Sequence, residues 1–165
     1  MTATPAKATP ATADSLKAAP ATADSPKATP ASLPEADAFT RAYWDAAADG
    51  RLLLRHCTAC DRPHHYPREF CPHCWSEDVE WRQAEGRAVL YTWSVVHRND
   101  LPPFGDRVPY VAAVVDLAEG PRMMTEIVDC PESALRIGMD LELTFRPEGE
   151  QGEFQVPVFR PRRSR

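Results

Sequence analysis

The sequence predicts a mostly β protein, in which an N-terminal helix and a small zinc ribbon precede a five-stranded barrel and follow a disordered tail. Three observations predict this organisation: two Cys-x-x-Cys pairs separated by ten residues, a proline-rich repeat before them, and five segments of strand-forming sequence after them. We place the tail at residues 1–34, the helix and ribbon at 35–85, the barrel at 86–161 and a short basic tail at 162–165.

The first 34 residues form a low-complexity segment. Ala11–Pro20 is followed by its near copy Ala21–Pro30, and bulky apolar side chains are almost absent. Because prolines block a helix and no burial would offset the entropy of ordering, we expect a disordered spacer or tether. With three lysines and two aspartates, the segment is too weakly charged for a nucleic-acid arm. Met1–Pro10 has no apolar signal-peptide core, and no segment reaches membrane-spanning length, so we expect a soluble cytoplasmic protein.

An aromatic helix is predicted directly after the tail. Phe39, Tyr43 and Trp44 recur at helical spacing in alanine-rich sequence, and Gly50 suits a helix end, so we predict a helix over residues 35–49. We expect its aromatic stripe to pack on the rest of the domain; docking of a partner subunit is the alternative use of this apolar surface. A short strand at 52–54 then leads into the cysteine region.

The two cysteine pairs indicate a metal site. A two-residue gap lets both thiolates of a pair turn toward one point, and two such pairs complete the tetrahedral four-sulfur shell that zinc prefers. Because four cysteines leave no position for water, we expect the metal to be structural rather than catalytic. Iron fits the same four-thiolate shell and stays open as the alternative metal. The predicted ligands are Cys57, Cys60, Cys71 and Cys74.

Other uses of these cysteines fit the sequence less well. Disulfides need an oxidising compartment, and a redox pair is expected at a strand-to-helix turn of a βαβ unit rather than in proline- and histidine-rich sequence. The histidines near the pairs are interpreted as exposed residues or as hydrogen-bond donors behind the ligands, rather than as substitute ligands. These are His56, His64, His65 and His73.

Strand patterns dominate the sequence after Gly86. Valine, aromatic and β-branched residues fill three segments, and alternation of apolar and polar residues marks two more. Pro131 suits the start of a short helical turn and Gly138 its end, which puts a helical insert between the third and fourth strands. Five strands with such an insert match the small Greek-key barrel called the OB-fold. The predicted strands are 88–97, 110–117, 123–128, 140–146 and 153–159.

The order of motifs resembles one family, which combines a rubredoxin-like zinc ribbon with a C-terminal OB-fold and is associated with acyl-CoA. The resemblance covers about residues 36–161. It implies a small non-enzymatic subunit that binds acyl-CoA. Such subunits join thiolases, thiolase-like aldolases or hot-dog-fold enoyl-CoA hydratases as hetero-oligomers, in lipid, steroid side-chain or polyketide-like metabolism. The motifs that carry it are the aromatic helix, Cys57-x-x-Cys60, Tyr66-Pro-Arg68, Cys71-Pro-x-Cys74, Gly86-x-x-x-Leu-Tyr-Thr and Pro157-Val-Phe-Arg-Pro161.

Two positions depart from this family, whose members often have glycine directly after each cysteine pair. Asp61 and Trp75 stand there instead. Aspartate tolerates a left-handed backbone, whereas a bulky aromatic residue adopts it at a cost of roughly 1 kcal/mol. We therefore expect intact ligands and a different local geometry at the turn of the second pair.

The sequence contains no recognisable catalytic constellation. Cys130 is the single cysteine outside the two pairs, and its nearest charged neighbours in sequence, Asp129 and Glu132, would raise rather than lower the pKa of a thiol. His97 is the single histidine after the ribbon and is expected at a strand end on the surface. A dyad of these two side chains ranks well below a satisfied histidine and a buried free cysteine, so we expect no catalysis by the chain alone.

Three residues are candidates for contact with acyl-CoA. Arg98 and Phe104 belong to the loop between the first two barrel strands, which borders the ligand face in OB-folds. Arg160 begins a cluster of arginines that suits the few phosphates of one CoA or an acidic partner surface. The other members of the cluster are Arg162, Arg163 and Arg165.

A single-stranded nucleic-acid-binding module is the alternative function, because OB-folds and zinc ribbons also occur in such proteins. From Gly86 onward, however, ten arginines are outnumbered by twelve acidic residues. This part of the chain therefore has no general field that would track a phosphate backbone, and nucleic acid is not the expected partner.

Overall fold

The computed structural model describes residues 36–102, 104–149, 152 and 154–162. The tail predicted at 1–34 lies outside the described residues, as do Arg163 and Arg165 of the predicted basic tail. The described chain is mostly β, with one α-helix, a small three-stranded sheet and a closed five-stranded barrel. The predicted fold class is confirmed.

The α-helix α1 spans Arg41–Ala48 and is shorter than predicted. The Asp37 carboxylate accepts hydrogen bonds from the backbone N–H of Thr40 at 2.6 Å and from its hydroxyl at 2.7 Å, which holds the preceding residues in turns. The helix ends as expected: Gly50 adopts φ 73°, its N–H donates to Ala47, and the next N–H donates to Ala46. No helix among the described residues is long and apolar enough to cross a membrane.

The aromatic stripe of this region packs inside the protein. Tyr43 is 8% exposed, and the half-buried Trp44 ring meets Phe154 of the barrel edge-on at 5.3 Å. The guanidinium of Arg55 lies against the rings of both Phe39 and Trp81, at 5.4 and 4.7 Å from their centroids. The expectation of internal packing is confirmed. Docking of a partner subunit on the part of the stripe that stays accessible remains a prediction, since Phe39 and Trp44 are only half-buried.

A three-stranded antiparallel sheet carries the first cysteine pair. Its strands are β1 (Leu53–Cys57), β2 (Arg62–His64) and β3 (Val79–Gln83), in the order β2-β1-β3. The strand predicted at 52–54 is therefore longer, and β2 and β3 were not expected as strands. Both are short, and β2 contains a proline, so neither has the run of β-branched residues that marks a strand in sequence.

The barrel consists of the five expected strands, in the closed order β4-β5-β6-β8-β7. A single parallel pairing, Ile127 with Phe159, joins β6 to β8, and all other neighbours are antiparallel. The insert before β7 is a short 3-10 turn at Glu132–Ala134. The strands are β4 (Arg87–Val96), β5 (Tyr110–Leu117), β6 (Arg122–Ile127), β7 (Asp140–Glu148) and β8 (Phe154–Pro161).

One hydrophobic core joins the helix, the ribbon and the barrel. Leu90, Leu141 and Phe159 are fully buried inside the barrel, and Tyr43 and Leu52 belong to the same cluster. Burial alternates strictly along β5, which places every second side chain of that strand in the core. The helix therefore packs against β8 and forms one wall of a cleft over the outer face of the barrel.

Candidate functional site

Four cysteine sulfurs converge on one point of the ribbon. All four Sγ atoms lie within 4.8 Å of one another. The Cys57–Cys74 and Cys60–Cys71 sulfur pairs are separated by 3.6 and 3.7 Å. A tetrahedral zinc with Zn–S bonds of about 2.3 Å requires sulfurs about 3.8 Å apart, so this donor set fits the ion.

Backbone hydrogen bonds shape the second cysteine pair. The N–H of Trp75 donates to the carbonyl of Cys71 at 2.9 Å, and the N–H of Cys71 donates to the carbonyl of Ser76 at 2.8 Å. The N–H of His73 points at the Cys71 sulfur, 3.4 Å away. This N–H contact stabilises a thiolate at Cys71, as metal ligation requires.

Burial and hydrogen bonds shift the pKa values of the Cys60 and Cys71 thiols in opposite directions. Burial, together with hydrogen bonds from the neighbouring cysteines, raises the pKa of Cys60 to about 12. Burial also opposes ionisation of Cys71, but the N–H groups of His73 and Cys74 outweigh it and lower the pKa of Cys71 to about 7. Four thiolates at this separation repel one another, so a bound divalent cation is what allows all four to lose their protons.

The residue after each cysteine pair has a left-handed backbone. Asp61 adopts φ 55° and Trp75 adopts φ 65°. The expectation that the second pair turns with a different geometry is therefore wrong. The tryptophan takes up the strained conformation, and its ring stacks on Phe70 at 5.2 Å with an interplanar angle of 16°. That stack offsets part of the cost.

None of the four nearby histidines belongs to the metal-ligating cluster that the described residues form. His56 contacts Arg82 at 3.1 Å and Asp61 at 3.1 Å through Nε2. His65 packs against the rings of Tyr43 and Tyr66. The remaining two are a buried side chain, His64, and an exposed one, His73.

A second feature is a cleft of about 370 Å³ between α1, the ribbon and the outer face of the barrel. Its walls are mainly apolar and aromatic, and its floor is the β5–β6 face, which is the ligand face of OB-folds. Met124 and Tyr66 are exposed at 66% and 53% beside it. The lining side chains include Tyr43, Trp44, Tyr66, Pro67, Phe104, Tyr110, Ala112, Met123, Met124 and Val156.

The structure separates the three residues predicted to contact CoA. Phe104 begins a short 3-10 turn and lines the cleft. Arg98 is exposed and paired with Asp100 at 3.0 Å, and Arg160 is paired with Glu142 across β8 and β7 at 2.8 Å. Neither arginine is among the residues that line the Phe104 cleft. Their role stays a prediction.

A cluster of four charges beside the cleft was missed in the sequence. Arg107 and Arg146 each contact both Glu126 and Glu148. The arginines are 23% exposed and the glutamates 18%, so the cluster is mostly shielded from solvent. No local pattern marks it, because Arg107 and Glu148 are 41 positions apart in the chain. In this cluster the two glutamates neutralise the positive charges of Arg107 and Arg146 on this face of the barrel.

The isolated cysteine shows no sign of activation. The Cys130 thiol is half-buried and directed at the carbonyl of Pro131, 3.6 Å away. Burial raises the pKa of this thiol, with Arg136 opposing the shift weakly. Cys130 therefore lacks the lowered pKa that a catalytic nucleophile needs.

Two family models match adjacent stretches of the chain. The ChsH2 rubredoxin-like zinc ribbon domain matches residues 44–80, which include all four cysteines. The ChsH2 C-terminal OB-fold domain matches residues 81–146, from β3 into β7. The two matches follow the ribbon and the barrel in the order in which the structure presents them.

Several known proteins are similar to this chain in sequence, and a solved structure is similar in fold. The chain is 37% identical over 121 residues to a probable enoyl-CoA hydratase alpha subunit of Thermomonospora curvata, covering 73% of the chain but only 37% of that protein. It is 37% identical over 109 residues to a DUF35 domain-containing scaffold protein of Methanocaldococcus jannaschii, covering 66% of the chain and 77% of the relative. A solved structure described as Ltp2-ChsH2(DUF35) aldolase superimposes with a TM-score of 0.68 at 34% identity, over 78% of this chain and 98% of that one. The chain belongs to the DUF35 family, in its ChsH2 form of a rubredoxin-like zinc ribbon followed by an OB-fold.

Proposed function

We propose that this chain is a non-catalytic, acyl-CoA-binding accessory subunit. It assembles with a thiolase-like enzyme, either a thiolase or an aldolase, or with a hot-dog-fold enoyl-CoA hydratase, as one part of a hetero-oligomer. The reaction belongs to lipid, steroid side-chain or polyketide-like metabolism. The names of the relatives support this proposal, since they are a hydratase subunit, a scaffold protein and part of an aldolase.

The proposed metal is structural zinc, held by Cys57, Cys60, Cys71 and Cys74. The sulfur separations match a tetrahedral shell, and four thiolates leave no open coordination position for water or substrate. When bound, the ion cross-links the two cysteine pairs. This cross-link stabilises a ribbon that has few apolar residues of its own.

The cleft lined by Phe104 is the observation that carries the ligand proposal. Its volume of about 370 Å³ lies near the lower end of the range for small-molecule sites, and its aromatic walls suit an acyl or pantetheine chain. The cleft is open on one side, and exposed apolar side chains stand there. We infer that the partner enzyme covers this side and holds the reacting end of the acyl group, so that the chain forms one wall of a shared site.

The charges on this face favour acyl-CoA over nucleic acid. An OB-fold that binds single strands presents unpaired cations along its ligand face. Here the two arginines beside the cleft are neutralised by two glutamates, and Arg98 at the loop is paired with an aspartate. Arg98 and Arg160 are proposed to reach the CoA phosphates by exchanging their exposed ion-pair partners, which are weakly held.

The test combines binding with partner identification. Octanoyl-CoA is titrated into the purified full-length chain and into its complex with the enzyme that co-purifies from the native host. Phe104→Ala is compared with Leu101→Ala, which removes an exposed apolar side chain of the same loop that does not line the cleft. We expect at least fivefold weaker binding for Phe104→Ala only. Equal affinities, or acyl-CoA turnover by the chain without a partner, would contradict the proposal.

A further inference from the structure

A second concavity adjoins the Phe104 cleft at His65 and lies between the ribbon and the β5–β6 turn. It has a volume of about 330 Å³. Arg62 and His64 of β2 line one side and His73 of the second cysteine pair lines another, while Glu119 and Arg122 line the barrel side. We call it the ribbon crevice. His65 also lines the crevice and borders the Phe104 cleft as well. The other five polar side chains have no part in the proposed metal and acyl-CoA sites.

His64 is the unusual residue of the ribbon crevice. Its side chain is 4% exposed, and neither ring nitrogen has a hydrogen-bond partner among the described residues. A buried polar group without a partner costs about 1–3 kcal/mol. Such groups are rare in native proteins and call for a specific explanation, such as a ligand. A neutral imidazole can offer such a ligand one N–H donor and one acceptor.

Two arginines lie near this imidazole. Arg55 lies directly opposite His64 across β1 and β2. The guanidinium of Arg55 contacts the rings of Phe39 and Trp81 and donates to the carbonyl of Val79 at 3.2 Å, but it has no carboxylate partner among the described residues. Burial lowers the pKa of His64, and the charges of Arg55, His73, Arg68 and His56 lower it further. The permanent positive charges near the ring are therefore those of Arg55 and Arg68.

The remaining charges of the crevice are of both signs. Arg62 is exposed at its mouth, and Arg122 is held by Asp116 at 2.7 Å while its guanidinium covers Tyr91. Glu119 is the one acid among the lining residues. One of its oxygens accepts the backbone N–H of Glu85, and the other is buried without a hydrogen-bond partner among the described residues.

We propose that the ribbon crevice binds a phosphate-type oxyanion, with the His64 ring as the buried donor and Arg62 and His73 at the mouth. A tetrahedral oxyanion accepts hydrogen bonds from several directions, which suits donors that converge from β2 and from the second cysteine pair. The anion is either free phosphate or a phosphoryl group of a larger molecule. In the second case, the inference rests on the proposed acyl-CoA function.

The test uses the zinc-loaded full-length chain at constant ionic strength. Pyrophosphate, inorganic phosphate and CoA are titrated separately, with chloride as the reference, and the shift in thermal midpoint and the dissociation constant are measured. His64→Leu fills the same space without polar atoms, so we expect it to abolish the pyrophosphate-dependent shift while leaving the midpoint in chloride unchanged or higher. His97→Leu, which removes an exposed histidine outside the crevice, should keep the shift.

Arg62→Gln is the second crevice variant and replaces His64→Leu if that variant fails to fold. Arg62 is exposed, so its loss should spare the fold and weaken pyrophosphate binding at least fivefold. Competition between CoA and pyrophosphate would show that the crevice takes a phosphoryl group of a larger molecule. Absence of competition would show that it takes the free anion. Phe104→Ala should weaken octanoyl-CoA and spare pyrophosphate, so failure of one site is distinguishable from failure of the other. No shift beyond chloride, or a shift that survives both crevice variants, would overturn the proposal.

Discussion

Asp61 and Trp75 hold equivalent positions, one residue after each cysteine pair, and both adopt the left-handed backbone, with φ of 55° and 65°. The two side chains make different contacts at equivalent turns. Asp61 has a short polar side chain that contacts Nε2 of His56 at 3.1 Å, whereas Trp75 is 74% exposed and stacks on Phe70. The fold of the ribbon therefore determines the left-handed backbone at these two positions, although their side chains differ.

The strain at Trp75 can be separated from its stacking. Trp75→Ala and Trp75→Gly both remove the stack, but only glycine adopts φ 65° without a Cβ penalty. We expect the glycine variant to be more stable than the alanine variant by about 1 kcal/mol in urea unfolding of the zinc-loaded protein. An alanine variant that is equally stable or more stable would show that the left-handed backbone carries no cost here.

Metal content tests the four-cysteine site directly. Native protein purified without chelators should contain about one equivalent of zinc per chain, as measured by elemental analysis. Cys71→Ser should lose most of the metal and unfold the ribbon, because three thiolates hold the ion far more weakly than four. Cys130→Ser is the matched control, since that thiol lies outside the cluster, and it should retain the metal. Less than half an equivalent in the native protein would contradict the assignment.

Local signals in the sequence predicted much of the fold. The valine-rich segment predicted at 110–117 forms β5, and Gly50 ends the helix where its freedom at positive φ is needed. The cysteine spacing likewise predicted the convergence of four sulfurs. In each case, residues a few positions apart contain the information.

Features made by distant residues were not predictable in this way. The partners of Arg107 come from β6 and β7, 19 and 41 positions away. The length of the helix was overestimated because a hydrogen bond from Thr40 to Asp37 favours a turn over a helical start. The turn at Trp75 contradicted local preference, because the ribbon around the metal ligands determines the backbone there.

His65 should make stability depend on pH. Burial beside Tyr43 and Tyr66 lowers the pKa of His65 to about 4, and the neighbouring His64 contributes to the shift. Its pKa in the unfolded chain is about 6.5, so the folded state resists protonation. The stabilisation is complete above pH 6.5 and is lost as the pH falls toward 4. At pH 5.5 we expect a loss of about 1 kcal/mol relative to pH 7.5.

His65→Gln isolates this contribution. Glutamine does not titrate, so the difference in unfolding free energy between wild type and variant should shrink as the pH falls from 7.5 to 5.5. Zinc release at low pH affects both proteins alike and cancels in that difference. Parallel pH profiles of the two proteins would show that His65 does not couple folding to protonation.

The four-charge cluster beside the cleft should stabilise the barrel as a unit. Glu126→Gln leaves Arg107 and Arg146 facing each other with only Glu148 between them. Because these side chains are mostly shielded, we expect a loss of about 1–3 kcal/mol in unfolding free energy. The double variant Glu126→Gln with Arg146→Gln should lose less than the sum of the single changes, since removing the acid and a base together leaves one balanced pair.

The exposed pair of Arg98 and Asp100 is the matched comparison for this cycle. Its side chains are 84% and 76% exposed, against 23% and 18% in the cluster. A solvated pair gains little Coulomb energy and is screened by salt, so its double-variant cycle should give a coupling below about 0.5 kcal/mol. Coupling in the cluster should exceed 1 kcal/mol and persist in 0.5 M salt, because shielding rather than proximity alone makes the interaction strong. Equal couplings for the two pairs would mean that the cluster is solvated, and that the barrel face beside Phe104 presents exchangeable cations after all.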